Sequence, residues 1–456
     1  VMHFYHLHAL DWVDVVSALD ADPAKTAELQ QCLSAWPNNA TDYFAEVQQR
    51  LSGFVGSGQL GIFANGYWGH PEYKLPPELN LLAFAHYLEA LDWQRKVARL
   101  LAIFGGKNPH PNFIVGGAPC ALGSVDGTTA VDGAGLDSVA GIVAEMQSFV
   151  DQVYVPDTIA IARFYKDWAA RGEGVGNFLC YGDFPDPFTG ADDTSGLFVP
   201  RGAILGRDLS TVHPVDLDDP NQVHEYVSHS WYDYAAGKDV PLHPYDGETR
   251  PNYRSHGGPQ PPYQNLNVDQ GYSWLKSPRW RGNPMEVGPL ARVLMLYATE
   301  HAPTQELVNA TLAQLKLPLG ALFSTLGRVA ARTLETKLFA DQMAAWYQGL
   351  LDNVSGGDLG THNADFFYPD SWPASALGAG YTEAPRGALA HWVVIENGRI
   401  ANYQAVVPST WNAGPRDASG KEGPYEAALR GHALHDPMQP LEILRTIHSF
   451  DPCLAC

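Results

Sequence analysis

The last six residues carry the most pointed chemistry in the chain. Asp451-Pro452-Cys453-Leu454-Ala455-Cys456 sets two thiols three residues apart, behind a carboxylate and a rigid proline. Such a pair reads as half of a zinc site, a dithiol redox couple, two buried thiols or part of a softer metal centre. Zinc requires two further ligands, and neither a second CxxC nor a clean His pair stands nearby. A thioredoxin-like couple requires a βαβ setting with a helix after the motif, which these residues do not provide. Soft thiolates select nickel, copper, zinc or iron–sulfur centres. Upstream, Glu383-Ala384-Pro385-Arg386-Gly387 places an arginine where a hairpin begins, and Val406-Val407-Pro408-Ser409-Thr410-Trp411-Asn412 follows where it ends. Taken alone, Arg386 reads as one half of a surface ion pair. Taken with the hairpin exit, it belongs to an arrangement in which both hairpin ends face one site.

Three other groups are weaker. His3, His6 and His8 do not share one helical face, which favours packing over metal ligation. Lys276, Arg279 and Arg281 form a small basic group suited to anchoring acidic loops. Gly414 to Lys421 superficially resembles a phosphate loop, but it is one residue too long and Glu422 stands where a hydroxyl should bind magnesium, so nucleotide binding is rejected.

The elements that must position these residues are mostly helical. Apolar residues recur at three and four from Glu78 to Phe104, with Gly105-Gly106 as a stop. Similar patterns predict helices over 9–20, 136–166 with a kink at Pro156, 285–300 and 319–354. Between about 180 and 284 the pattern gives way to Pro, Gly, Asp, Tyr and Trp, an ordered irregular excursion with short strands, because a structureless loop of that length would be exceptional. Near the C-terminus, Glu396-Asn397-Gly398 between β-branched runs predicts a hairpin over 389–407. The fold class is α+β and mainly α: a long-helix bundle core with irregular excursions and small antiparallel hairpins, read as one interleaved unit over 1–456.

Composition narrows the partners. The 456 residues carry a formal net charge of −21, which argues against nucleic acid. Charged residues make up 17%, below the usual value of about 25%, consistent with a large core or a broad face covered by another subunit. No run approaches the roughly 18 apolar residues of a membrane-spanning helix. Five scattered cysteines cannot form a disulfide framework, nor hold a relay of iron–sulfur clusters at about four ligands each.

Several segments together resemble the large subunit of nickel–iron uptake hydrogenases: Gly61 to Pro71 (GIFANGYWGHP), Phe104 to Asn112 (FGGKNPHPN), Ser277 to Leu290 (SPRWRGNPMEVGPL), Glu383 to Gly387 and Asp451 to Cys456. The detail is most like the membrane-bound respiratory class. The resemblance implies heterolytic cleavage of H2 to protons and electrons that pass to an iron–sulfur small subunit. It implies Cys453 as a terminal nickel ligand and Cys456 as a thiolate bridging nickel and iron, with carbonyl and cyanide ligands on iron. Arg386 would stand over the open site and Asp451 would pair with it. Pro385 and Leu389 would pack around the carbonyl ligand, and Pro408 and Ser409 would offer hydrogen bonds to cyanide. The backbone carbonyl of Ala405 would reach a structural magnesium; Lys276 and Glu286 are weaker candidates for its water network. Either the Cys453 thiolate or the Arg386 guanidine would accept the proton.

The resemblance further implies a membrane cytochrome b reached through the small subunit, and a place on the periplasmic side of the cell membrane after export with that subunit. The family's RxCGxC motif, which carries its other two thiolates, does not occur in these residues. The expectation is therefore a fragment lacking both tips and inactive by itself. Two other readings compete. An H2-sensing regulatory subunit would turn over a dye sluggishly. A non-catalytic fold relative, such as a quinone-reductase subunit, would have lost the thiolates that Cys453 and Cys456 retain.

Overall fold

In the computed structural model, which describes residues 1, 4–61, 66–112, 117–118, 120–123, 130–185, 194–252, 271–362 and 368–453, the strongest three-and-four pattern is the Pro77–Gly105 helix. Pro77 stands where a missing N–H costs nothing, and Gly106 closes the last turn in the left-handed conformation with its N–H on Ala102 O. Its first half buries Leu81, Leu82 and Ala85, whereas Leu91 and Leu101 in the second half face outward in this chain.

Other helices differ from expectation for local reasons. The 9–20 pattern breaks after Ala9–Trp12, because the Asp14 carboxylate accepts the N–H groups of Val16 and Ser17 and starts the Ser17–Asp20 turn instead. The 136–166 pattern forms Gly133–Phe149 and Val155–Ala162, joined by the wider Val150–Tyr154 turn, so the N–H that Pro156 lacks falls in the first turn of a new helix. The Pro289–Ala298 and Thr325–Gly356 helices match expectation, and Pro23–Leu33, Thr41–Gly56 and Ala302–Leu315 add to them.

The chain divides into two compact units, each built from two stretches of sequence: Val1–Phe164 with Thr333–Pro373, and Tyr165–Arg332 with Ala374–Cys456. The first is helical around Phe44, Leu81, Leu82, Phe149 and Tyr154. It also buries a polar triad. Tyr5 Oη donates to Asp157 Oδ2 at 2.7 Å, and His86 Nδ1 lies 2.9 Å from both carboxylate oxygens. Burial alone would lower the His86 pKa, but the Asp157 charge and hydrogen bond outweigh it and raise it above 6.5. A folded-state pKa above the unfolded value contributes stability in full below about pH 6.5 and loses it as pH rises through the higher folded value. The midpoint of thermal unfolding should therefore fall on the alkaline side of neutrality. Asp157→Asn should flatten that part of the profile, as measured by melting across pH.

The second unit holds the irregular excursion, whose short strands pair antiparallel: Phe178–Cys180 with Gly202–Ile204, and Val223–Tyr226 with Ser277–Trp280. Its main sheet has three antiparallel strands in the order Arg399–Val406, Gly387–Glu396, Ser375–Ala384. Asn397 and Gly398 take the left-handed conformations that the hairpin turn requires. Alternate residues Ala388, Ala390 and Trp392 are buried against Leu179, Trp280, Val287 and Trp411, so one sheet face carries the core of this unit.

Candidate metal centre at the C-terminal tail

Arg386 stands at a hairpin tip. Ala384 and Gly387 are register partners, leaving Pro385-Arg386 as a two-residue turn whose first position Pro385 presets. Asp451 arrives from a helix end. After Leu441–Ser449 the chain places Asp451 in the left-handed conformation, φ 56°, with its N–H on His448 O. Aspartate tolerates that conformation better than most residues, and Pro452 prevents the helix from continuing. The two meet with Arg386 Nε 3.6 Å from Asp451 Oδ1. Asp451 is 2% exposed, and the Arg386 Nε is buried without a hydrogen-bond acceptor. The guanidinium is thus held by charge more than by a directed bond.

Cys453 follows two residues on, and its N–H donates to Ser409 Oγ at 3.0 Å. Ser409 lies in the first turn of the Pro408–Ala413 helix, so this helix and the tail are tied directly. Cys456 and His3 lie outside the described residues. Pro385 is exposed and Leu389 half-buried on the sheet face opposite Ala388 and Ala390, while Pro408 is buried. Of these groups the Cys453 sulfur is the soft-metal donor, with Asp451 two residues ahead of it and paired to Arg386. Among the described residues, no group of three His, Cys, Asp or Glu side chains gathers at metal-binding spacing.

Ala405 sits on the outer face of its strand, opposite His391. Its neighbour Gln404 turns inward, where Oε1 accepts from Lys276 Nζ at 2.8 Å, and Lys276 lies 3.7 Å from Glu225. Burial pushes the Glu225 carboxyl up and the Lys276 ammonium down, with each charge partly offsetting the other's shift. Glu225 and Gln404 escape sequence reading because neither stands in a motif. Glu286 is engaged by Arg328 through two contacts of 2.7 and 2.9 Å.

The remaining candidates resolve structurally. Arg279 binds Asp417 at 2.8 Å and the carbonyls of Pro415 and Lys421, so it anchors an acidic loop. In that loop Asp417 Oδ1 accepts the N–H groups of Ser419 and Lys421, filling the space a phosphate would need. His8 is 1% exposed and packs near Phe4.

A family model described as nickel-dependent hydrogenase matches residues 1–456. The chain belongs to this family. It is 52% identical over 465 residues to the uptake hydrogenase large subunit of Rhizobium leguminosarum bv. viciae, a match covering 100% of this chain and 77% of that protein. It is 50% identical over 463 residues to the hydrogenase-1 large chain of Escherichia coli K12, again over 100% and 77%. Among solved structures, the as-isolated oxidised Ni-Fe-Se hydrogenase of Desulfovibrio vulgaris Hildenborough superposes with a TM-score of 0.68 at 31% identity, over 85% of this chain and 73% of that one. An anaerobically purified [NiFeSe] hydrogenase from Dm. baculatum gives the same TM-score, 0.68, over 100% of this chain and 78% of that one at 26% identity. This hydrogenase chain is thus a large subunit with an α+β fold and a nickel-dependent activity, as the tail and hairpin motifs imply. Among its described residues, no helix is long and apolar enough to cross a membrane.

Proposed function

We propose that this large subunit cleaves dihydrogen heterolytically, and that Cys453 and Cys456 would hold a nickel–iron pair through their thiolates. The convergence of Arg386 and Asp451 beside the Ser409-anchored Cys453 carries the reading. The metal pair, when bound, supplies a Lewis acid that polarises a very weakly acidic substrate. The Cys453 sulfur takes the proton, because guanidinium groups stay protonated in proteins and leave the thiolate as the easier acceptor. Arg386 presents a fixed positive charge at the open face, and Asp451 anchors it. Ser409 accepts from the Cys453 N–H, which leaves its own hydroxyl proton for a cyanide ligand on iron, with Pro408 at the same helix start. Pro385 and Leu389 supply the apolar side for a carbonyl ligand. The Ala405 carbonyl, next to the buried Gln404–Lys276–Glu225 group, contributes to a structural magnesium.

The partner reading follows from electron transfer. Electrons leave through an iron–sulfur small subunit, across an interface beyond roughly 2,000 Å², and from there to a membrane cytochrome b on the periplasmic side. The low charge and the outward Leu91 and Leu101 support such a covered face. Elemental analysis of the matured enzyme, read with infrared bands of bound carbonyl and cyanide, tests the proposal. Nickel and iron together with those bands are expected. A matured sample without nickel would remove the reading, and a nickel-loaded sample that reduces a dye only sluggishly would favour the sensor.

A further inference from the structure

The Pro289–Ala298 helix carries a buried arginine at its fourth position, Arg292, 2% exposed. A cation in the first turn opposes the helix dipole, so the helix itself gives no reason for it. Its partners do. Nη1 donates to Glu383 Oε2 at 2.9 Å and to Ala384 O at 2.8 Å, and Nη2 donates to Pro385 O at 2.8 Å. These acceptors belong to the three consecutive residues that lead into Arg386. Glu383 is itself fixed, because its other oxygen accepts the Tyr181 N–H at 2.7 Å.

The backbone around Arg386 rests on the residues just ahead of that helix. A Cβ on Gly288 would lie 2.8 Å from Arg386 O, and one on Gly387 would lie 2.5 Å from Gly288 N, so only glycines permit the approach. On the other side, Asn412 clamps Val287: Oδ1 accepts its N–H and Nδ2 donates to its carbonyl, both at 3.0 Å. Asn412 shares the Pro408–Ala413 helix with Ser409, which holds the Cys453 N–H. A continuous path therefore runs from Arg386 through Gly288, Val287, Asn412 and Ser409 to Cys453.

We infer that Arg292 and Asn412 are positioning residues that fix where Arg386 stands relative to Cys453, an inference that rests on the role given above to Arg386. Arg292→Lys keeps the charge opposite Glu383, but one ammonium cannot span the positions of both guanidinium nitrogens. In the matured enzyme this variant should retain nickel. Amide hydrogen exchange at residues 386–388 should rise about tenfold, and kcat for dihydrogen oxidation should fall about tenfold with KM little changed. Should Arg292→Lys lose nickel, Asn412→Asp, which keeps the acceptor for Val287 and loses the donor, reads the same path and should also speed exchange at 386–388. Unchanged exchange there, or activity lost only in proportion to nickel, would overturn the inference. Arg386→Lys in the same assays separates the two ideas. Full turnover in that variant removes the reading of Arg386, whereas its loss beside an unimpaired Arg292→Lys enzyme removes only the positioning role.

Discussion

Arg386→Lys should lower dihydrogen oxidation about 100-fold while nickel and iron stay bound, the scale on which loss of one preorganised electrostatic group acts. Lysine keeps the charge but replaces a planar fork on a short hairpin tip with a flexible, strongly hydrated ammonium. The geometry makes that exchange costly. Asp451 lies 3.6 Å from the Arg386 Nε without a hydrogen bond, so the guanidinium is placed mainly by its backbone and by its own stiffness. A lysine ammonium would close on the buried carboxylate and withdraw from the open face. Asp451→Asn offers a graded comparison: asparagine accepts the same left-handed backbone and removes only the charge, so a smaller loss, about tenfold, is expected. Dye-linked hydrogen uptake normalised to nickel content is the measurement. Equal turnover in the Arg386→Lys and unaltered enzymes would show that the side chain is a bystander.

What the sequence made legible was local. The Glu78–Phe104 pattern and its glycine stop, and the Asn397-Gly398 turn, encode their structure within a few residues, and both formed. The third strand, Ser375–Ala384, was not visible, because glycines at 378 and 380 weaken any strand signal and its pairing partner lies further along the chain. The site shows the same division. Arg386, Asp451 and Cys453 stand in compact motifs. Arg292, Asn412, Gln404 and Glu225 act on partners roughly 50 to 130 residues away, and nothing in their neighbours' identities announces it. Glu286 shows the limit from the other side. It stands inside a recognisable motif, yet its carboxylate is taken by an arginine 42 residues away.

That arginine supplies the largest expected stability effect. Arg328 grips Glu286 in a two-point ion pair, donates to Gly172 O at 2.6 Å, and lies 3.8 Å from the centre of the Phe450 ring, the residue before Asp451. Both members of the pair are 2% exposed at the side chain, so solvent screens little. Arg328→Met would leave a buried carboxylate without its counter-ion, a loss of about 3–5 kcal/mol, or a fall of about 10 °C in the melting midpoint of a unit of this size. The pair itself need not be stabilising, since desolvation opposes its attraction. Glu286→Leu combined with Arg328→Met should therefore recover much of the midpoint lost by the single variant, short of the share owed to the Gly172 and Phe450 contacts. Calorimetric scans of the wild type, both single variants and the double variant measure the coupling. A double variant that melts no higher than Arg328→Met would mean that the arginine acts through Phe450 and the tail, and not through Glu286. In that case nickel retention, not melting, should track the substitution.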